Sequence, residues 1–200
     1  MKKWLNGVLI GALSIGFAIA GPQEAANQLK GNIQQVLNIL AKDNGKNTRQ
    51  IRTQAENYAI PYFDFQRMSA LAVGREWRSA SKDQQAALTK EFETLLIRTY
   101  SGTMMKYKNA KVNVKDNPKS NNNGREIVVS TEVALANNNK PILMDYTMYQ
   151  SGNKYRVYNV SVEGASLVTV YRNQFNETIS KQGIDGLIQE LKDKNNKGNN

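Results

Sequence analysis

At Tyr107 the hydrophobic period of the chain changes from 3.6 to 2, and beyond Gly164 it returns to 3.6. That order excludes an all-helical bundle, an all-β sandwich and an alternating parallel α/β sheet, and it leaves helices, then consecutive strands, then helices. Before the change, residues 22–42 place Ala26, Leu29, Ile33, Val36, Leu37 and Leu40 on one helical stripe, which Asp43-Asn44-Gly45 ends. Residues 48–58 read as a second helix, ended by Pro61. The aromatic run Tyr62-Phe63-Asp64-Phe65 leads into a short helix at 66–72, broken by Gly74. Ser81-Lys82-Asp83-Gln84 is a capping box that opens the longest helix, 82–106. Leu88, Phe92, Leu95, Leu96 and Thr99 line one face of it, and Tyr100 and Met104 widen the stripe. A helix apolar over so wide an arc is buried on more than one side.

After the change, Val112 and Val114 alternate with Lys111, Asn113 and Lys115. A polar turn region at 117–124 follows. Ile127, Val129, Thr131, Val133 and Leu135 alternate with Glu126, Ser130 and Glu132, and Asn137-Asn138-Asn139 turns the chain. Ile142, Met144, Tyr146 and Met148 share one face of a third strand; Ser151-Gly152-Asn153 leads to a fourth, 155–162. Four strands joined by short turns predict an antiparallel meander. Ser166 caps a helix carrying Leu167, Val168, Tyr171, Phe175 and Ile179, and a short helix at 184–192 closes the fold. Residues 193–200 are polar and expected to be disordered. The predicted class is α+β, a four-stranded antiparallel meander with helices on one sheet face.

Lys2 and Lys3, the apolar run Val8 to Ala20 and the small residues Ala18 and Ala20 predict a secretory signal peptide at 1–20, cut after Ala20. The run is too short for a membrane span, which takes about 20 apolar residues. No cysteine follows the cut, so a lipid-anchored start is excluded, and 21–192 forms one domain of a soluble, exported protein. Without Lys2 and Lys3, 25 of the 27 basic residues remain against 17 acidic, a net charge of +8. For an exported chain, lipid headgroups and acidic proteins are the natural anionic partners, and nucleic acid is not. The chain has no Cys and no His. Disulfides, thiol nucleophiles, Ser-His-Asp triads and the commonest zinc ligands are thereby excluded, and no metal or cofactor site is expected.

Two blocks carry a family resemblance. The first is Tyr62-Phe63-Asp64-Phe65, Met68-Ser69, Leu71-Ala72-Val73-Gly74, Trp77-Arg78, Ala80-Ser81 and Gln84-Gln85. The second is Tyr158-Asn159-Val160, Glu163-Gly164-Ala165-Ser166-Leu167-Val168, Tyr171-Arg172, Gln174-Phe175 and Ile179. Their order and spacing resemble the MlaC (toluene-tolerance) family of Gram-negative periplasmic phospholipid-binding proteins. The resemblance implies a sheet of NTF2-like character with a small helical subdomain, and a pocket that takes acyl chains while the headgroup stays near solvent. It implies a monomeric periplasmic shuttle with phospholipid as cargo. The implied partners are an outer-membrane lipoprotein–porin complex and an inner-membrane ABC transporter complex with its MCE-domain protein. The asparagine runs 121–123 and 137–139 match no motif of that family.

Candidate lining residues for such a pocket are Met144, Tyr146 and Met148, with Tyr155 and Val157 on the same sheet face. Tyr100, Met104 and Tyr107 from the long helix, and Leu167, Val168 and Tyr171 from the following one, complete the set. Met adapts to variable apolar guests, and Tyr offers an apolar body with a polar tip; ordinary core packing is the alternative. Two long acyl chains carry roughly 25 to 30 methylenes at ~0.8 kcal/mol each, on the order of 20 kcal/mol against release into water. In a bilayer the tails are already out of water, so exchange between membrane and pocket is nearly balanced and direction must come from the membrane partners.

Lys106, Lys108, Lys111, Lys115 and Lys119, with Asp116 as the one acid among them, are candidates for an acidic partner or anionic headgroups; Lys is also common on protected strand edges. Arg75 and Arg78, flanking Trp77, are candidates for phosphate contact or a structural corner. No catalytic residue is assigned. Two other functions fit less well. An isomerase-type enzyme would draw on Asp145 and Tyr146, with Asp64 and Glu163 the other acids near apolar residues, but strand neighbours face opposite sides. A periplasmic chaperone for unfolded apolar segments is the other.

Overall fold

The computed structural model describes residues 21–136 and 138–197; the expected signal peptide at 1–20 lies outside the described residues. Five helices and an antiparallel sheet follow in the expected order: α1 Pro22–Leu40, α2 Thr48–Ala59, α3 Phe65–Val73, α4 Lys82–Met104, then the strands, then α5 Leu167–Lys197. Three of the starts are chemically marked. Pro22 sits in the first turn of α1 with Glu24 beside it, suited to the free N–H groups there. Asp64 caps α3 by accepting from the Arg67 backbone N–H at 2.9 Å. The expected capping box of α4 is formed: Ser81 Oγ accepts from the Gln84 N–H at 3.1 Å, and Gln84 Oε1 accepts from the Ser81 N–H at 2.9 Å.

The strands are β1 Lys111–Val114, β2 Lys119–Asn121, β3 Glu126–Ala134, β4 Ile142–Ser151, β5 Lys154–Val162 and β6 Ala165–Ser166. β1 and β2 pair with successive parts of β3, Lys111 with Ala134 and Lys119 with Val128. They are one outer strand interrupted at Asp116-Asn117-Pro118. The region read as all turn therefore contains β2, and the turn proper is Asn122-Asn123-Gly124. All three residues there have positive φ, of 51°, 56° and 83°. Asn and Gly tolerate that conformation, which is the physical reason for this asparagine run.

A bulge in β5 organises the two sheet faces. Met148 pairs with Val157 and Thr147 with Asn159, which leaves Tyr158 without a partner on β4. Val157 and Val160 face one way with Met148, Ile127 and Val129, under Ala25, Ala26 and Leu29 of α1. Tyr158 turns to the other side, into a core with Met68, Phe92, Val168, Tyr171, Phe175 and Leu187 from α3, α4 and α5. Phe92 meets Tyr171 and Phe175 edge-on at 4.9 and 5.1 Å. Helices thus cover both sheet faces, where the pattern alone predicted one. A third cluster joins Ile39 and Leu40 of α1 to Ile51 and Ala55 of α2.

The free edge of β5 is covered piecemeal. The Gln28 amide pairs with Tyr155 as a neighbouring strand would, Nε2 donating to the carbonyl and Oε1 accepting from the N–H, both at 2.8 Å. The Asp64 N–H donates to the Val157 carbonyl at 2.8 Å, and β6 covers Ser161 and Val162. Such substitutes remove the aggregation hazard of an open edge.

The end of the chain differs from expectation. The helix runs on to Lys197 rather than ending at Lys192, bending at Gly183, whose φ of 71° suits glycine. Its last turn is ordered because Asn195, 5% exposed, donates Nδ2 to the Glu91 backbone carbonyl at 2.9 Å and to Glu91 Oε2 at 2.8 Å.

Candidate functional site: the seam beneath the first helix

Along α1 burial is uneven. Ala25, Ala26 and Leu29 are buried against the sheet and Ile39 and Leu40 against α2, while Ile33, Val36 and Leu37 between them are only half-buried. Facing this middle stretch are other half-buried apolar residues. Met144 and Tyr146 of β4 pack with Ile33 on the sheet cluster; Tyr58, Met104 and Met105 pack with Val36 on the α2 cluster. Tyr107 ends the short 3₁₀ turn Met105–Tyr107 that closes α4. Two apolar clusters thus lie along α1, one over β4 and β5 and one by α2 and the end of α4, with Ile33, Val36 and Leu37 half-buried between their fully buried members; together they form an apolar seam under α1.

The hydroxyl chemistry of the seam is distinctive. Burial pushes the Tyr146 phenol up to about 12, and Tyr107 adds to the rise. Among the described residues, the Tyr146 hydroxyl donates to Met144 Sδ at 3.9 Å and to no oxygen. The other three tyrosines of β4 and β5 each reach an oxygen: Tyr149 gives to Asp64, Tyr158 to Glu126, and Tyr155 to the Gly21 carbonyl at 3.2 Å.

The expected lining residues do not form one wall. Met144, Tyr146, Met148, Tyr155 and Val157 belong to the α1 side of the sheet, with Met148, Tyr155 and Val157 fully buried as its floor, and the Tyr107 phenol acts on that of Tyr146. Met104 lies at the α2 end of the seam. Leu167, Val168 and Tyr171 pack instead with Phe92 and Phe175 in the helical core. Tyr100, 44% exposed, stands beside Tyr171; partial burial and that neighbour push its phenol up to about 12. Ile33, Val36, Leu37 and Met105 were not singled out from sequence. The first three were legible as a helical stripe, and nothing in the stripe marks which of its members are half-covered.

The expected headgroup or partner residues divide as well. Lys108 is tied to Asp43 at 2.9 Å and Lys115 to Glu132 at 2.6 Å. Lys106 and Lys111 are exposed, Lys111 on the outer strand beside a surface hollow of about 370 Å³ that Glu132, Asn138 and Pro141 also line. Arg75 projects into solvent with its side chain 93% exposed and pairs with the adjacent Glu76 at 3.0 Å. Arg78 is exposed, and Trp77 packs on the helical core with its carbonyl accepting from Gln85 Nε2 at 2.8 Å. These contacts describe a structural corner.

Asp64 serves the fold too. Besides capping α3 it accepts from Tyr149 and lies 4.0 Å from Arg156. Arg67 stacks over the rings of Tyr158 and Tyr149, at 3.8 and 4.4 Å from their centres. This network fastens α3 to the sheet, and only the Asp64 cap could have been read locally. Asp145 and Tyr146, adjacent on β4, point to opposite sheet faces as strand geometry requires.

Known proteins with a similar fold include a phospholipid-binding protein from Ralstonia solanacearum, solved in complex with a phospholipid. It superposes with a TM-score of 0.76 at 32% identity, over 86% of this chain and 97% of that one. In sequence, the intermembrane phospholipid transport system binding protein MlaC of Haemophilus influenzae is 27% identical over 203 residues, covering 96% of this chain and 92% of that protein. A toluene tolerance protein of Pseudomonas putida is 26% identical over 108 residues, 54% of this chain and 49% of its own length. The family model described as MlaC protein matches residues 30–193, and the chain belongs to the MlaC family.

Proposed function

We propose that this protein is a non-enzymatic periplasmic phospholipid carrier, which holds acyl chains in the seam beneath α1 and passes lipid between an outer-membrane and an inner-membrane complex. One observation carries the reading: half-buried, adaptable apolar residues gather under one helix of a fold shared with a protein solved holding a phospholipid. The tails lie against Ile33, Met104, Met144 and Tyr146 over a floor of Met148 and Val157. Leu167, Val168 and Tyr171 support the helical core behind them. No described helix is long and apolar enough to cross a membrane, which suits a carrier that leaves the bilayer. The exposed Lys106 and Lys111 are the cations offered to an acidic partner. Asp43 and Glu132 already engage Lys108 and Lys115.

The test is mass spectrometry of the purified mature protein, first native and then after organic extraction. A stoichiometric co-purifying phospholipid is expected, and its mass gives the number of chains held. A protein that is lipid-free and takes up no lipid from vesicles overturns the carrier reading and favours a chaperone or an isomerase-type enzyme.

A further inference from the structure

Tyr146 stands at the centre of the seam, in ladder with Val129 on β3 and Val160 on β5 and between Met144 and Met148 on its own face. Every one of these neighbours is apolar. A phenol in such surroundings needs an acceptor, because a buried hydroxyl left without one costs stability. A thioether sulfur at 3.9 Å is a weak acceptor, and it is what Tyr146 has. The sheet elsewhere satisfies its tyrosines: Tyr149, Tyr155 and Tyr158 all donate to oxygen. Phenylalanine would pack Tyr146's ring equally well. The hydroxyl is therefore the feature that packing leaves unexplained.

We propose that the Tyr146 hydroxyl is the hydrogen-bond donor for an ester carbonyl of the bound diacyl phospholipid, and that it thereby sets how deep the glycerol backbone sits. The inference rests on the carrier reading above. The chemistry selects an ester carbonyl rather than a phosphate. Among the described residues no Lys or Arg stacks on the Tyr146 ring, and the titratable neighbour acting on its hydroxyl is the uncharged Tyr107 phenol, so a phosphate drawn into this setting would lack a counter-charge. An ester carbonyl is neutral, is a strong acceptor, and lies where the apolar tails end. Met144 Sδ then acts as a placeholder that the thioether's rotatable side chain withdraws when lipid enters.

The experiment compares ester and ether lipids of equal chain length and headgroup. Delipidated mature protein is mixed with vesicles made of equal parts diacyl and dialkyl phosphatidylglycerol, and the bound lipids are extracted and weighed by mass spectrometry. The wild type should take up the diacyl lipid about five- to tenfold in excess, the discrimination one hydrogen bond supplies. Tyr146→Phe should bring the ratio to about one in the lipid that it binds. Equal uptake of the two lipids by the wild type overturns the proposal whatever the variant does, and so does an ester preference that survives in Tyr146→Phe. A wild type that takes up neither lipid overturns the carrier reading itself, and this assignment with it.

Discussion

Replacing Gln28 with Ala should unfasten α1 from the sheet, and its size follows from two bonds. The Gln28 amide supplies both a donor and an acceptor to the Tyr155 backbone, at 2.8 Å each. A net 0.5–1.5 kcal/mol per hydrogen bond gives a loss of about 1–3 kcal/mol. For a domain of this size that lowers Tm by about 2–4 °C per kcal/mol. The effect is local first: the Tyr155 amide should exchange with solvent about five- to 150-fold faster, the same free energy expressed as an opening equilibrium. Native-state hydrogen exchange resolved at Tyr155 reads this directly, with urea unfolding for the global term. Gln34→Ala is the control, since the Gln34 amide reaches only Asn38 on the exposed side of α1, at 3.0 Å. Unchanged Tyr155 protection in Gln28→Ala, or a loss of stability no larger than the control's, would refute the view that this side chain serves as a strand substitute.

Three further outcomes follow from the same contacts. Hydrogen bonds from Thr48, then Lys108 and Gly45, hold the Asp43 carboxyl at about 2 against an ordinary 3.8. Its folded pKa is depressed, so its contribution to stability is complete above about pH 4 and lost as pH falls to about 2. Asp43→Asn should flatten the acid limb of a Tm-against-pH curve over that window. Asp64→Ala removes the α3 cap and the acceptor of Tyr149 together, and urea unfolding should show a loss of about 2–4 kcal/mol, with Asp64→Asn losing less. Gly31 lies in the middle of α1 with nothing within 4 Å of an added Cβ, so Gly31→Ala should raise stability by about 0.5–1 kcal/mol, read as a Tm a few degrees higher.

What could be read from the sequence was what local chemistry decides. Ser81 and Gln84 are three residues apart, and that spacing is the capping box. The alternation of Met144, Tyr146 and Met148 puts them on one face whatever the strand pairs with. The β5 bulge was not legible, because Val157 and Tyr158 are both apolar and only the register against β4 separates their faces. The same slip assigns Tyr158 to the helical core and Val157 to the seam. Leu167, Val168 and Tyr171 read as pocket residues because an apolar helical stripe does not say which cluster it joins. The polar end of the chain read as disordered because its ordering contact, Asn195 with Glu91, spans 104 residues. Half-burial, the property that marks the seam, is a relation between elements and has no local code.

That half-burial matters because a carrier must open without unfolding. α1 is fastened near its start by Gln28 and by the Tyr155 hydroxyl on Gly21, and near its end by Ile39 and Leu40 against α2. Between these fastenings Ile33, Val36 and Leu37 are only partly covered. Lifting that middle exposes apolar surface at about 25 cal/mol per Å². On the proposed reading, entering acyl chains cover the same surface again, and they come from an apolar bilayer, so their transfer adds little cost of its own. The barrier to exchange is then set by how far α1 moves before the tails arrive, whereas escape into water carries the full penalty of the exposed methylenes. A helix fixed at both ends and only partly covered in the middle keeps that movement small. On the proposed carrier reading, loading at a membrane surface is therefore expected to be fast compared with loss in transit, and lipid uptake from vesicles should outpace lipid release into buffer.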